Sequence, residues 1–351
     1  MSWIDNVRKV VPYTPGEQPK EQNIIKLNTN ENPYPPSPAV RVAIREVTEE
    51  GMRRYPDPSA DILVSAIASE YGVEKEEVFV GVGSDDVLAM AFLTFFNDKK
   101  PILFPDITYS FYDVWADLYR IPYECIPLKE DFSVDPEDYK KENGGVILPN
   151  PNAPTGVSLG LDAIETIIKS NPDSVVIIDE AYIDFGAVSV LPLIKKYDNL
   201  LVVQTMSKSR SLAGMRIGFA FGDAKLIKYL NDVKFSFNSY TMNQTALAAG
   251  VAAVKDRAYF DSCSQKIIAT REWVKEELKD LGFAFPDSKS NFIFATHPTC
   301  KAKKLFEELK KKRIYVRYFD KPRIDDYIRI TIGTDVQMRA FLDAVKEILE
   351  R

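Results

Sequence analysis

Lys208 has an unusual setting for a lysine. It comes soon after the apolar run 200–203 and is flanked by the hydroxyl groups of Thr205, Ser207 and Ser209. An amine at the end of a buried strand loses hydration, which lowers its pKa and allows it to form an imine with a carbonyl compound. This segment therefore indicates covalent carbonyl chemistry, although a solvated surface lysine remains the alternative when the segment is taken alone.

Asp179 also follows an apolar run, 175–178, and Tyr182 lies three residues after it. An acid at the carboxyl end of a strand can face a ligand at that edge of a sheet. The same pattern occurs in ATPases, where the acid binds Mg²⁺. Because the chain has no Gly-x-x-x-x-Gly-Lys-Ser/Thr loop to hold phosphates, the sequence argues against an ATPase. An ordinary loop acid remains the alternative.

Two turns that follow predicted strands could present polar groups. The segment 81–85 reads Gly-Val-Gly-Ser-Asp and precedes a predicted helix, whose first N–H groups form an anion site. The segment 149–156 contains three prolines, which fix a rigid loop that could present the amide of Asn152. Plain turns without any ligand are the alternative for both segments.

The composition narrows the class of protein. The chain has 351 residues, and 45 Lys and Arg against 51 Asp and Glu give a net charge of −6, so nucleic acid is not expected as a main partner. A single histidine, His297, excludes a multi-histidine metal site, and we expect no metal. Three scattered cysteines, together with the absence of a signal peptide or an apolar span, indicate the cytoplasm and no membrane.

The elements that must position these residues alternate between strands and helices, which predicts an α/β fold with a mostly parallel central sheet between helices. We expect an N-terminal arm at 1–50, which also contributes to a smaller domain, a large domain at 51–245 and a small α+β domain at 246–351. Strands are predicted at 78–80, 101–104, 123–126, 145–148, 175–178, 200–204, 218–221, 291–295, 315–317 and 327–331. Helices are predicted at 39–49, 61–71, 300–312 and 335–350, with a long helical stretch at 242–281.

The order of these segments resembles the fold-type-I aminotransferases, which use pyridoxal 5′-phosphate (PLP). The resemblance covers nearly the whole chain. Within that superfamily, four segments are similar to the histidinol-phosphate aminotransferase family: Leu-Asn-Thr-Asn-Glu-Asn-Pro-Tyr at 27–34, Tyr-Pro-Asp-Pro at 55–58, Ser-Lys with Leu-Ala-Gly-Met-Arg-Ile-Gly at 207–218, and Arg-Ile-Thr-Ile-Gly-Thr at 329–334.

The resemblance implies a role for each candidate residue at a PLP site. Lys208 would hold the cofactor as an imine and serve as general base, and Asp179 would pair with the ring nitrogen. Tyr182 and Asn152 would contact the ring oxygen, although many relatives carry Asn where Ala153 stands. Tyr109 would stack on the ring. The phosphate would be held by backbone N–H groups of Ser84 and Asp85, the hydroxyls of Thr205 and Ser207, Arg216, and Tyr55 from a partner subunit.

The resemblance also implies substrates and partners. It implies reversible amino transfer between histidinol phosphate and 2-oxoglutarate in histidine biosynthesis, by a homodimer with shared active sites. Arg329 would bind the carboxylate or phosphate group of the substrate, and Arg317 would be a second residue that binds this group. Tyr13 and Asn30 are candidates for contacts with the imidazole ring of histidinol phosphate.

Three alternatives stay open. The cofactor motifs do not separate this reaction from that of an aromatic amino acid aminotransferase or a threonine-phosphate decarboxylase. A regulator that binds the cofactor without catalysis is a third possibility, although no DNA-binding domain precedes the large domain in this sequence.

Overall fold

The fold is taken from a computed structural model that describes residues 2–350. Within these residues, no helix is both long and apolar enough to cross a lipid bilayer. The helices are α1 Pro38–Arg45, α2 Glu49–Arg53, α3 Asp61–Tyr71, α4 Ser84–Phe95, α5 Tyr112–Tyr119, α6 Leu161–Ser170, α7 Ala224–Phe237, α8 Gln244–Lys255, α9 Arg257–Asp280, α10 Ala302–Lys311 and α11 Asp335–Leu349.

The strands confirm the predicted α/β alternation. They are β1 Ile25–Lys26, β2 Val78–Gly81, β3 Ile102–Pro105, β4 Tyr123–Ile126, β5 Gly145–Pro149, β6 Val176–Asp179, β7 Leu200–Thr205, β8 Gly218–Gly222, β9 Phe292–Ala295, β10 Ile314–Tyr315, β11 Arg317–Tyr318 and β12 Ile328–Thr331.

A seven-stranded sheet forms the centre of the large domain, in the order β2-β8-β7-β6-β5-β3-β4. Neighbours from β7 to β4 run parallel, whereas β8 is antiparallel to β2 and β7. Helices cover both faces, so strands such as β6 and β7 are buried along their whole length. This double burial explains why the strands read as continuous apolar runs.

The carboxyl ends of the parallel strands meet at one edge of the sheet. The loops after β3, β5, β6 and β7 leave the sheet at this edge, which is where ligands bind in open α/β sheets. The loop between β2 and α4 joins them there, because β2 runs in the same direction as β7, both being antiparallel to β8.

The small domain packs around a second apolar core. Its sheet has the order β11-β12-β9 and is antiparallel, and α9, α10 and α11 contribute their apolar faces to the core. The N-terminal arm joins this domain, because β1 pairs in parallel with β10 and Leu27 is buried in the same core.

Two boundaries differ from the predicted ones. The helical stretch 242–281 is two helices, and Asp256 caps α9 with its side chain on the N–H of Tyr259. Helix α8 packs on α1 and α3 in the core of the large domain, and Gly250 allows the side chains of Leu63 and Ile217 to approach closely. Helix α8 therefore packs in the same apolar core as α3 of the large domain.

The arm helix predicted at 39–49 is also interrupted. Ser37 caps α1 and Thr48 caps α2, each by accepting a backbone N–H with its hydroxyl. Thr48 lies within the predicted helix 39–49, and its hydroxyl accepts a free N–H of the first turn of α2. Such an N-cap allows a second helix to begin there.

Candidate active site

A cavity of about 180 Å³ lies at the carboxyl edge of the large sheet; it is called the inner cavity below. It brings together nine of the residues that the sequence singled out: Ser84, Asp85, Tyr109, Asp179, Tyr182, Thr205, Ser207, Lys208 and Arg216. The parallel sheet explains this convergence, because residues far apart in sequence follow strands that end side by side.

Asp179 is the acid at the base of the inner cavity. Its Oδ2 accepts a hydrogen bond of 2.9 Å from the hydroxyl of Tyr112, and its Oδ1 accepts one of 3.1 Å from the N–H of Ala181. Burial raises the pKa of Asp179 to about 6, against the lowering effect of these two donors and of Lys208. The carboxylate is therefore oriented by the protein, but no cationic side chain of residues 2–350 is in direct contact with it, which suits a ligand that carries a proton donor.

Lys208 follows β7 and reaches the same cavity. Its Nζ is 3.3 Å from the carbonyl oxygen of Thr29 and lies over the ring of Tyr182, 5.7 Å from the centroid. The side-chain amide of Asn32 donates to the carbonyl oxygens of Lys208 and Ser209, at 3.0 and 3.1 Å. The arm thus fixes the lysine backbone, and the amine is not directed into bulk solvent.

The opposite end of the inner cavity has the features of an anion site. Helix α4 begins there at Ser84, and its preceding residue, Gly83, has φ 89°. A Cβ on Gly83 would lie 2.5 Å from Nη2 of Arg216, and a Cβ on Gly218 would lie 2.2 Å from the N of Ser84. Only glycines allow the arginine and the helix N-terminus to converge, and such a site suits a phosphate.

The carboxylate of Asp85 lies at this anion site. It accepts a hydrogen bond of 2.8 Å from the hydroxyl of Tyr109 and is 3.2 Å from Nη2 of Arg216. The sequence-based expectation gave Asp85 only a backbone role, because a carboxylate repels a phosphate. In the structure its side chain instead neutralises part of the charge of Arg216, and both side chains are about two-fifths exposed.

Asn152 does not line the inner cavity. Its Nδ2 donates to the carbonyl oxygen of Ile107 and to Oγ1 of Thr155, at 2.9 and 3.0 Å, and Ala153 lines the cavity at this point. The expected contact of Asn152 with the ring oxygen is therefore not supported, because its amide is used to hold the loop. Tyr182 does line the cavity, and its hydroxyl accepts a hydrogen bond of 2.9 Å from Nδ2 of Asn30.

A second cavity, of about 150 Å³, adjoins the first and is called the outer cavity. The two share the lining residues Thr29, Tyr109, Ala153, Tyr182 and Lys208. The outer cavity contains all four residues that the sequence assigned to substrate: Tyr13, Asn30, Arg317 and Arg329. Lys208 therefore lies between the two groups of candidates.

Arg317 and Arg329 lie directly opposite each other on the antiparallel strands β11 and β12. Arg329 donates from Nη2 to the carbonyl oxygen of Asn28 at 3.0 Å, while its Nε is buried and has no hydrogen-bond partner in the described part of the chain. Burial, with a contribution from Arg317, lowers the pKa of Arg329. Within residues 2–350 neither arginine has an ion-pair partner, so the outer cavity is built to receive an anion.

Tyr55 lies outside both cavities of its own chain. Its side chain is 81% exposed and stacks on Tyr240, with ring centroids 4.6 Å apart. An exposed aromatic pair of this kind suits burial by another protein surface.

The sequence reasoning assigned no role at the site to Tyr112 or Thr29, nor to Glu31, which also lines the inner cavity. Tyr112 contacts Asp179 from beneath the inner cavity, and Thr29 supplies the carbonyl oxygen near Lys208. Tyr112 is the first residue of α5 and Tyr109 precedes that helix, so no helical spacing in the sequence linked Tyr112 to the site. No side-chain pattern could have revealed Thr29, because its contact is made by the backbone.

Comparisons with known proteins agree with this geometry. The family described as aminotransferase class I and II matches residues 22–345. The chain is 55% identical to a histidinol-phosphate aminotransferase of Clostridium acetobutylicum, over 99% of both chains. It is 53% identical to histidinol-phosphate aminotransferase 2 of Dechloromonas aromatica, over 99% of this chain and 98% of the relative.

Comparison with solved structures also finds proteins of this fold. The crystal structure of histidinol-phosphate aminotransferase from Sinorhizobium meliloti, in complex with pyridoxal-5′-phosphate, superposes with a TM-score of 0.86 at 22% identity, over 93% of this chain and 91% of the other. The match of the family over residues 22–345 and the full-length relatives lead to one conclusion. This chain belongs to the class I and II aminotransferase family.

Proposed function

We propose that this chain is a PLP-dependent aminotransferase that moves an amino group between histidinol phosphate and 2-oxoglutarate. The names of its full-length relatives support this substrate. The single structural observation that carries the proposal is the pair Arg317 and Arg329, two facing guanidinium groups beside Lys208 that lack an acidic partner within residues 2–350.

The residues of the inner cavity fit PLP. When bound, PLP supplies a protonated ring that accepts electrons from the α-carbon of the substrate. Asp179 would hold the proton on the ring nitrogen, and Tyr109 would pack against the ring. The glycine-lined cradle formed by Ser84 and Arg216 would hold the phosphate.

Lys208 would bind the cofactor covalently and then move a proton at the α-carbon of the substrate. Its position supports both roles, because Lys208 lines the inner cavity, which would hold the cofactor, and also the outer cavity, which would hold the substrate anion. Tyr182 lines both cavities as well, and its hydroxyl, oriented by Asn30, would act at the ring oxygen.

The arginine pair accounts for two unlike substrates. Histidinol phosphate carries a phosphate ester, whereas glutamate carries carboxylates, so one site must accept anions of different shape. Two planar guanidinium groups can satisfy either geometry with parallel hydrogen bonds. Tyr13, whose ring stacks on Phe111 with centroids 4.1 Å apart, would lie toward the imidazole end of the substrate.

A homodimer completes the proposal. The side chain of Tyr55 is largely exposed in the single subunit. In a dimer it would be covered by the partner subunit and would reach that subunit's phosphate cradle. Cytoplasmic location remains part of the proposal, supported by three cysteines that form no disulfide.

A substrate assay tests the proposal. The holoenzyme is supplied with histidinol phosphate and 2-oxoglutarate, and glutamate formation is measured beside reactions with phenylalanine and with threonine phosphate. We expect the first pair to be turned over fastest. Dominant release of CO₂ from threonine phosphate, dominant transfer from phenylalanine, or no reaction with any amine would favour a decarboxylase, an aromatic aminotransferase or a regulator, respectively.

Arginine variants test the substrate site. Arg329→Ala should raise KM for both histidinol phosphate and glutamate, because both anions use the same guanidinium; loss of one charge-assisted pair is worth about 1.5–3 kcal/mol, or about 10- to 150-fold. Arg339→Ala, an exposed arginine on α11, is the matched control and should leave both values unchanged. An effect on only one of the two substrates would contradict the shared site.

A further inference from the structure

The hydroxyl of Tyr112 is the one side-chain donor that hydrogen-bonds Asp179 within residues 2–350. It donates to Oδ2 at 2.9 Å from the first residue of α5. Tyr112 is fully buried and lines neither the inner nor the outer cavity. It therefore acts on a ligand only through the carboxylate.

The packing of the Tyr112 ring does not depend on its hydroxyl. The ring meets Phe104 edge-on, with centroids 5.8 Å apart, and lies 5.8 Å from Tyr109 in a T-shaped contact. Phe92 and Trp115 pack nearby. Because apolar neighbours hold the ring, the direction of the hydroxyl toward Asp179 is set by the fold.

We propose that Tyr112 is a positioning residue that fixes the orientation and the charge of Asp179 toward the inner cavity. The two donors, Tyr112 at Oδ2 and the N–H of Ala181 at Oδ1, leave each oxygen one free lone-pair direction. The proposal rests on the proposed function, because a ring nitrogen of a cofactor is the group that the carboxylate would meet.

The electrostatic surroundings explain why the donor matters. Asp85 on α4 disfavours the charged form of Asp179, whereas Lys208 after β7 favours it, and the phenols of Tyr109 and Tyr182 also face this region. Burial opposes ionisation more strongly than any of these. A hydrogen bond from Tyr112 to the charged carboxylate is thus one of the few contributions that keep it ionised.

The test compares Tyr112→Phe with a matched control, Tyr139→Phe. Tyr139 is equally buried in the large domain, but its hydroxyl has no hydrogen-bond partner among residues 2–350. The first readout is the dissociation constant of PLP for the cofactor-stripped protein, measured from pH 5 to 8. We expect Tyr112→Phe to weaken binding about tenfold or more near neutral pH, and Tyr139→Phe to change it little.

A double-mutant cycle separates positioning from mere packing. In an Asp179→Asn background, Tyr112→Phe should lose most of its effect on PLP binding, because the charge that it supports is gone. An equally large effect in both backgrounds would overturn the proposal. So would a dissociation constant of Tyr112→Phe that equals the wild-type value throughout the pH range.

A cofactor-free readout keeps the inference separate from the proposed function. Tyr112→Phe should lower the unfolding temperature more at pH 8 than at pH 5, because only the ionised carboxylate loses a strong acceptor bond. A pH-independent loss would overturn the positioning role even if the enzyme transfers amino groups. The expected pH dependence would support that role even if histidinol phosphate proved not to be the substrate.

Discussion

Asp179 places a functional charge where it costs folding stability. Burial raises its pKa from the ordinary value of 3.8 to about 6. An acid whose pKa is raised on folding binds its proton more tightly in the folded chain, so stability falls as the pH rises from about 4 to above 6. Asp179→Asn should therefore increase the stability of the cofactor-free protein relative to wild type, and more at pH 8 than at pH 5.

The two pKa values set the magnitude. At about 1.36 kcal/mol per pH unit, the raised pKa lowers the folding stability by about 1.6 kcal/mol at pH 5, where the folded carboxyl is mostly protonated, and by about 3 kcal/mol at pH 8, where it is ionised. An Asn side chain keeps only one accepting oxygen, so it loses the bond to Tyr112 or to Ala181, worth about 1 kcal/mol at either pH. The effect of Asp179→Asn on the free energy of unfolding should therefore differ by about 1.4 kcal/mol between pH 5 and pH 8. Only the ionisation of Asp179 contributes to this difference.

Thermal unfolding of the cofactor-stripped proteins measures this difference. The gain in unfolding temperature on Asp179→Asn should be larger by about 2 °C at pH 8 than at pH 5, because the unfolding entropy of a chain of 351 residues is large. Adding PLP should reverse the order, because wild type binds it more tightly and is stabilised by mass action. A gain or loss of the same size at both pH values would refute the assignment of a raised pKa to this buried acid.

Two further substitutions probe the ends of the inner cavity. Lys208→Ala should abolish turnover yet leave the fold intact, since within residues 2–350 the Lys208 side chain donates its hydrogen bond only to the carbonyl oxygen of Thr29; retained turnover, or cofactor still covalently attached by mass spectrometry, would contradict its role. Gly83→Ala should weaken PLP binding about tenfold, because its Cβ would meet Arg216 at 2.5 Å and φ is 89°. Gly160→Ala, with open space around it, is the neutral control, and equal effects of the two would argue against the cradle.

The division of charge across the two cavities is consistent with amino transfer. The residues that line the outer cavity include two arginines and no acid, whereas the inner cavity is lined by the acids Glu31, Asp85 and Asp179 together with Lys208 and Arg216. Lys208 lines both cavities. A substrate anion in the outer cavity could therefore pair with Arg317 and Arg329, and a protonated ring nitrogen in the inner cavity could pair with Asp179. This arrangement follows from the fold, since Asp179 and Lys208 come from the ends of neighbouring strands β6 and β7, whereas Arg317 and Arg329 come from strands of the small domain.

The sequence by itself determined which residues can do chemistry and which elements hold them. Apolar runs buried on both faces predicted the strands of the large sheet, because a parallel sheet covered by helices leaves no solvated face. The residue types at Lys208, Asp179 and Arg216 predicted a site, since parallel strand ends converge whatever the details of packing. Helix ends such as α3 at 61–71 could be predicted in the same way, from local pattern alone.

Only the tertiary structure decided the contacts that depend on direction and register. The amide of Asn152 turns into its own loop rather than toward the cavity, and the hydroxyl of Tyr112 turns toward Asp179. The pairing of Arg317 with Arg329 depends on the register of β11 and β12. Such features depend on packing between segments that are far apart in the sequence. A shift of one residue in strand register, or a change of one rotamer, points a side chain elsewhere, so the local sequence does not predict its direction.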